Sequence, residues 1–194
     1  MKKFLLLSIV VNLLLIYYIA KRYYYSKVPP ILWHYDVALL GDSHIYRANW
    51  NELLGVRAAN FGVGGNTTKQ MYDRLPGVIN CRPGICFIEG GINDIQQGMP
   101  LDSTVHYLKL IRDRLIESRI KPVFMQVMHV RGWDSANIKV DSLNARIYHL
   151  GDYISAPITY DDLQEDSIHL NGSGYQKWAR VISKMLPGDL QVSK

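Results

Sequence analysis

Short apolar runs alternate with longer amphipathic stretches along most of this chain, and the two patterns predict strands and helices in turn. The runs 37–40, 56–61, 85–89, 122–127 and, less sharply, 154–159 have the length of buried strands. Stretches with helical spacing lie between them, at about 46–54, 67–75, 103–119 and 135–148, and a last helix is expected over 174–186. Within 103–119, Val105, Leu108, Leu110, Ile111 and Leu115 recur near the helical period, while Lys109, Arg112 and Asp113 fall elsewhere. Strands alternating with helices predict an α/β sandwich, a parallel sheet covered on both faces.

One apolar stretch breaks this rhythm. Residues 4–20 carry no charge and are interrupted only by Ser8 and Asn12. Seventeen residues is the short end of what spans a bilayer as a helix, roughly 17–25. Lys2 and Lys3 precede it, Lys21 and Arg22 follow, and Tyr17, Tyr18, Tyr23, Tyr24 and Tyr25 cluster at its far end, where headgroups favour such rings. A cleaved signal peptide is the rival, but its apolar core is usually about 7–15 residues and Ile19-Ala20-Lys21 is a poor cleavage site. The expectation is an N-terminal transmembrane helix within an anchor over 1–25, a stiff linker over 26–34 around Pro29-Pro30, and one domain over 35–194, exported from the cytoplasm.

Charge changes the picture once it is located. The net charge of +5 comes from Lys2, Lys3, Lys21, Arg22 and Lys27, because no acidic residue precedes Asp36. The remainder balances at 17 basic against 17 acidic residues, so no basic groove for nucleic acid is expected. Hydrophobic content of 48% and charged content of 20% suit a chain that buries a core. Cys86 lies in an apolar run and reads as a small hydrophobe. A disulfide to Cys81 is open in an oxidising compartment. Six scattered histidines show no metal-ligand pattern.

Four short segments carry the candidate chemistry: Gly41-Asp42-Ser43-His44, Asn60-Phe61-Gly62, Gly91-Ile92-Asn93-Asp94 and Asp166-Ser167-Ile168-His169. Ser43 follows the first strand, Gly62 ends the second and Asn93 lies past the third. In a doubly wound sheet of order 2-1-3-4-5 these strand ends meet at the switch point, where ligands bind. A serine hydroxyl needs a neighbouring base to become a nucleophile. His169 suits that task, and Asp166 can orient its other ring nitrogen. The N–H groups of Ser43 and Gly62 and the amide of Asn93 suit an oxyanion hole. Ser43 alone also fits a helix cap.

These segments resemble the SGNH (GDSL-type) hydrolases, and Leu170-Asn171-Gly172-Ser173-Gly174-Tyr175 resembles that family's turn into its final helix. The resemblance covers about 37–186. It implies a flavodoxin-like three-layer sandwich and a serine esterase with catalytic Ser43, Asp166 and His169. It also implies an oxyanion hole of Ser43, Gly62 and Asn93, with neither metal nor organic cofactor. His44 departs from the family pattern and is expected as a cleft wall or solvated side chain. Asp42 and Asp94 are expected to hold their loops, Thr67 to cap a helix, and Trp50 and Tyr46 to pack. His129, Arg131 and Trp133 are open between cleft rim and plain loop, and Gly64-Gly65-Asn66 is expected as the loop into the next helix. With no long lid insertion, the expected substrate is a short-acyl ester, such as O-acetyl on a glycan. An O-acyltransferase on the same triad and a non-catalytic carbohydrate-binding module remain as alternatives.

Overall fold

The computed structural model describes residues 35–188 and Leu190, together with Asn12, Ile16 and Tyr17. The chain divides into two units, Met1–Trp33 and His34–Lys194. In the first, the three described residues are helical. The expected span over 4–20 otherwise lies outside the described residues, as does the linker. Among the described residues no helix is long and apolar enough to cross a membrane.

The second unit is built on five parallel strands: β1 (Val37–Gly41), β2 (Ala58–Gly62), β3 (Ile85–Ile88), β4 (Lys121–Met125) and β5 (Tyr153–Ile154). Their order is β2-β1-β3-β4-β5, as expected, with Gly41 opposite Gly62 and Leu40 opposite Ile88. Side chains alternate across the sheet, which splits the core in two. Ala38, Leu40, Cys86, Ile88 and Phe124 face one cluster, completed by Met71, Leu108, Ile111, Leu115, Val140 and Leu143. Val37, Leu39, Ile85, Phe87, Val123 and Met125 face the other, with Trp50, Leu54, Trp178 and Ile182. Because both faces are covered, the central strands β1 and β3 read as continuous apolar runs.

The helices are α1 (Ser43–Tyr46), α2 (Trp50–Leu54), α3 (Thr68–Asp73), α4 (Leu75–Asn80), α5 (Ile92–Gln96), α6 (Leu101–Glu117), α7 (Asp134–Tyr148) and α8 (Gly172–Ser183). The single helix expected over 46–54 is two, for a visible reason. Asn60 donates its amide to the carbonyls of Ile45, Tyr46 and Ala48, and the Trp50 indole donates to Ile45 O. Carbonyls held that way cannot continue a helical ladder. Thr67 caps α3 through a capping box with Gln70, as expected. Pro76 then opens α4, where its missing N–H costs nothing. The strand expected over 154–159 shrinks to two residues, since Pro157 has no N–H to pair and Ile158 turns back onto Ala156 O. Cys81 and Cys86 are both free thiols, so the disulfide does not form, and burial pushes the Cys86 thiol up to about 12.

Candidate active site

β1 ends at Gly41, and α1 begins two residues later with Ser43 in its first turn. Asp42 caps the helix by accepting the His44 N–H at 3.0 Å. Ser43 is therefore an N1 residue rather than the cap. The helix crosses β1 and β2 so closely that their last residues must be glycine. A Cβ on Gly62 would sit 2.1 Å from the Tyr46 nitrogen, and one on Gly41 would sit 2.3 Å from Ile45 Cγ1.

His169 approaches from the other side of the chain. Its Nε2 lies 2.9 Å from Ser43 Oγ, and its Nδ1 lies 2.6 Å from Asp166 Oδ2. Asp166 Oδ1 also accepts the backbone N–H groups of Ile168 and His169, at 3.0 and 2.9 Å. Desolvation works against its charge, but the bonds from the His169 N–H, the His169 ring and the Ile168 N–H hold the carboxyl well below the usual carboxylate range. Asp166 stays ionised where a protonated base beside it needs a counter-charge.

The loop bearing these two residues is pinned on several sides. Ser167 takes the left-handed conformation, φ 63°, and its carbonyl accepts the Arg131 N–H. Gln164 donates to the carbonyls of His169 (backbone N–H) and Leu170 (side chain), each at 2.7 Å. Asp162 ties the preceding turn to α8 through Lys177 and Ser173. Lys177 above all holds its carboxyl down at about 2.

The expected oxyanion donors differ in availability. The Ser43 N–H has no acceptor among the described residues. The Gly62 N–H, by contrast, donates to Asn60 Oδ1 at 2.8 Å. Asn93 donates its amide to Asp42 Oδ2 and to Asn66 O, both at 3.0 Å. The turn Val63–Asn66 lies beside the serine, with Gly65 at φ 75° and the Cβ direction of Gly64 pointing 3.9 Å from Ser43 Cβ. The N–H groups of Gly64 and Gly65 have no acceptor among the described residues. That turn reads in sequence as an ordinary loop; its two adjacent glycines were the available signal.

Other expected residues fall as follows. Asp94 holds α3 through Thr68 N–H and Oγ1, at 2.9 and 2.6 Å, and Trp50 is buried. Tyr46, expected to pack, is exposed because the short α1 turns it away from both cores. His129 pairs with Asp141 at 2.7 Å, and Arg131 lies over the Tyr160 ring. A cleft of about 320 Å³ beyond β4 is lined by Gln126, Met128, His129, Ile158, Thr159 and Tyr160. Two residues that the sequence reading passed over also shape the site. Arg74 donates to Phe61 O, to Gly41 O at 2.6 Å and to Asn66 Oδ1 at 2.8 Å, tying the ends of β1 and β2 to the turn beside Ser43. Glu89, the lone charge at the end of an apolar run, is fully buried.

His44 is a correction. It is 2% exposed, neither a cleft wall nor solvated, because Trp178 packs against its ring and the Tyr175 hydroxyl donates to its carbonyl. Its Nε2 lies 3.0 Å from Ile168 O, and its Nδ1 lies 3.3 Å from Asp42 Oδ1 and 4.0 Å from Glu89 Oε1. His44 Nδ1 and both Glu89 oxygens lack a well-formed hydrogen bond. One donor atom from each of the three residues falls within 4.8 Å of the others, which is near enough to test against a cation. Donors on a tetrahedral ion with bonds of ~2.1 Å stand about 3.4 Å apart, so the 4.0 Å separation is loose. Both Asp42 oxygens already accept N–H groups. Shared protons fit the cluster better than a metal.

Comparisons with known proteins bear on the family and the fold. The GDSL-like Lipase/Acylhydrolase family profile matches residues 39–177. No curated protein matches the chain. Among solved structures, a lipase/acylhydrolase from Enterococcus faecalis superposes with a TM-score of 0.72 at 19% identity, covering 81% of this chain and 98% of that one. A protein described as a platelet activating factor from Streptococcus pneumonia gives 0.72 at 17%, covering 93% and 99%. An acetylxylan esterase from Geobacillus stearothermophilus, as a catalytic mutant, gives 0.68 at 16%, covering 82% and 97%. At such identities these likenesses speak for the fold, while the profile match spans most of the chain and places it: the protein belongs to the GDSL-like lipase/acylhydrolase family of ester hydrolases.

Proposed function

We propose that this protein is a serine esterase that cleaves short-acyl esters, with O-acetyl groups on a carbohydrate or envelope polymer as the substrate class. The observation that carries the reading is the relay Ser43 Oγ–His169 Nε2–Asp166, at 2.9 and 2.6 Å. Ser43 Oγ attacks the ester carbonyl while its proton passes to His169 Nε2, and Asp166 stabilises the imidazolium. The tetrahedral intermediate collapses, the leaving alkoxide takes the proton from His169, and the acyl group stays on Ser43. Water then attacks with the same base, releasing the acid and restoring the serine. The Ser43 N–H is ready for the oxyanion, and the Gly64–Gly65 turn offers free N–H groups beside it. Asn93 and Gly62 join by exchanging an internal acceptor for the substrate oxygen.

Support for a short acyl group comes from the brief connections around Ser43, with only residues 63–67 between β2 and α3. Two of the structural neighbours are acetylxylan esterases. The uncharged stretch 4–20 supports placing the enzyme on a membrane. The test is hydrolysis of 4-nitrophenyl acetate against longer-chain esters, with a fluorophosphonate label and Ser43→Ala as control. Turnover and labelling that both vanish in Ser43→Ala, with acetate preferred, are the expected result. A preference for long chains would overturn the substrate class, and activity surviving in Ser43→Ala would overturn the mechanism. Fractionation of the full-length protein tests the anchor, which predicts recovery with membranes.

A further inference from the structure

We infer that His44 is a positioning residue for this reaction: its buried ring bridges the nucleophile turn and the loop that carries His169, holding the base in line with Ser43. The inference rests on the serine-esterase reading above. His44 follows Ser43 directly in α1, and Ile168 directly precedes His169. The 3.0 Å contact from His44 Nε2 to Ile168 O is therefore a covalent neighbour's tie between the two reacting residues. A carbonyl only accepts, so Nε2 carries a hydrogen and donates it. The two imidazole rings stand 5.5 Å apart.

The other edge of the ring fixes its orientation. With Nε2 protonated, Nδ1 faces the carboxyl groups of Asp42 and Glu89. A lone pair there would meet oxygen lone pairs in a buried space, so a proton sits between the ring and Asp42. Glu89 has no other donor for either oxygen. A proton on Glu89 turns its approach to Asp42 into a hydrogen bond. Two protons over these groups leave a buried cluster of zero net charge: imidazolium, carboxylate and neutral acid. Burial and the Asp42 charge raise Glu89 well above the ordinary range. Burial opposes the charge on His44, but the bond to Asp42, the charges of Glu89 and Asp42 and the Ile168 carbonyl lift it to about 9. Tyr175, whose hydroxyl donates to His44 O, His169, and Arg74, whose cation acts on Asp42, are further charged or titratable neighbours of the cluster. Asp42 also accepts from Asn93, so the same cluster sets the Asn93 amide beside Ser43.

Glutamine places an amide nitrogen where His44 has Nε2, and asparagine places one where it has Nδ1. The pair separates the tie to Ile168 from the contact with Asp42. The test measures kcat and KM for 4-nitrophenyl acetate on full-length wild type, His44→Gln, His44→Asn, His44→Leu and Ser43→Ala, each checked for folding by circular dichroism. Misplacing a reacting group by about 1 Å costs on the order of 100-fold. The expected result is a loss of roughly 10- to 100-fold in kcat with KM little changed for His44→Asn and His44→Leu. In His44→Gln most of kcat returns. If His44→Leu fails to fold, the Gln–Asn comparison carries the test by itself. Equal kcat in His44→Gln and His44→Asn would overturn the positioning role, as would a folded His44→Leu within about twofold of wild type. So would one equivalent of bound metal that is lost in Glu89→Gln, since a cation would then take the place of the protons. If Ser43→Ala retained activity, the esterase reading itself would fall, and the positioning role with it. Abolished activity in Ser43→Ala beside an unaffected His44 series would sink only the latter.

Discussion

In the folded protein His44 keeps its proton up to about pH 9, against 6.5 for an unconstrained histidine. The folded state therefore binds this proton more tightly than the unfolded chain does. The resulting stability is complete below pH 6.5 and is lost as pH rises through about 9. Moving from 6.5 to about 9 in a fully buried group corresponds to about 3 kcal/mol. Glu89 acts in the same direction, because its raised pKa also makes the folded state the better proton holder. Urea unfolding of the full-length protein at pH 6, 8 and 10 measures the effect. Comparison with His44→Gln cancels the titration of lysines and exposed tyrosines. Wild type should lose about 3 kcal/mol more than the variant between pH 6 and 10. With about 2–4 °C per kcal/mol for a domain of this size, the gap in Tm is about 6–12 °C. Parallel stability profiles for the two proteins would refute the reasoning, for they would mean that His44 is neutral when folded.

Other substitutions test the site piece by piece. Asp166→Asn should fold normally but lose about 1,000- to 10,000-fold in kcat, because the amide cannot balance an imidazolium; a loss under about tenfold in steady-state kinetics would remove Asp166 from that role. Gly62→Ala puts a Cβ 2.1 Å from the Tyr46 nitrogen and 2.5 Å from its Cα, so helix α1 must move. Urea melts should show a loss of at least about 1–3 kcal/mol, with reduced kcat from the displaced Ser43, and unchanged stability would contradict the packing described. Arg74→Met removes the cation between Gly41 O and Phe61 O and should cost about 1.5–3 kcal/mol in the same assay. A stability equal to wild type would show that water replaces those bonds without loss.

The parallel sheet was legible because alternating strands and helices follow from local pattern, while the order of its strands came with the doubly wound arrangement that the family resemblance implies. Apolar runs broken by Gly, Pro and Asp mark strands, and parallel strands joined by helices cross over with one hand. That Ser43, Asp166 and His169 would meet was legible from their short motifs, in order along the chain, and from the family those motifs resemble. The breaks between α1 and α2 and between α3 and α4 were not equally readable. Pro76 is a local signal for the second, whereas the first depends on Asn60 reaching back from β2 to three carbonyls.

His44 marks the limit most clearly. In the chain it is a polar residue after the serine, and nothing nearby hides it. Its burial is decided by Tyr175 and Trp178 on α8 and by Ile168 on the last loop, all more than a hundred residues away. The oxyanion donors show the same division. Residue type and strand-end position nominate Gly62 and Asn93, but which N–H groups are free depends on where Asn60, Asp42 and Asn66 place their acceptors. Periodicity and chemical competence are properties of short segments, so they can be read along the chain. Burial, protonation and hydrogen-bond vacancy arise between segments distant in sequence, and only the folded arrangement of both sheet faces decides them.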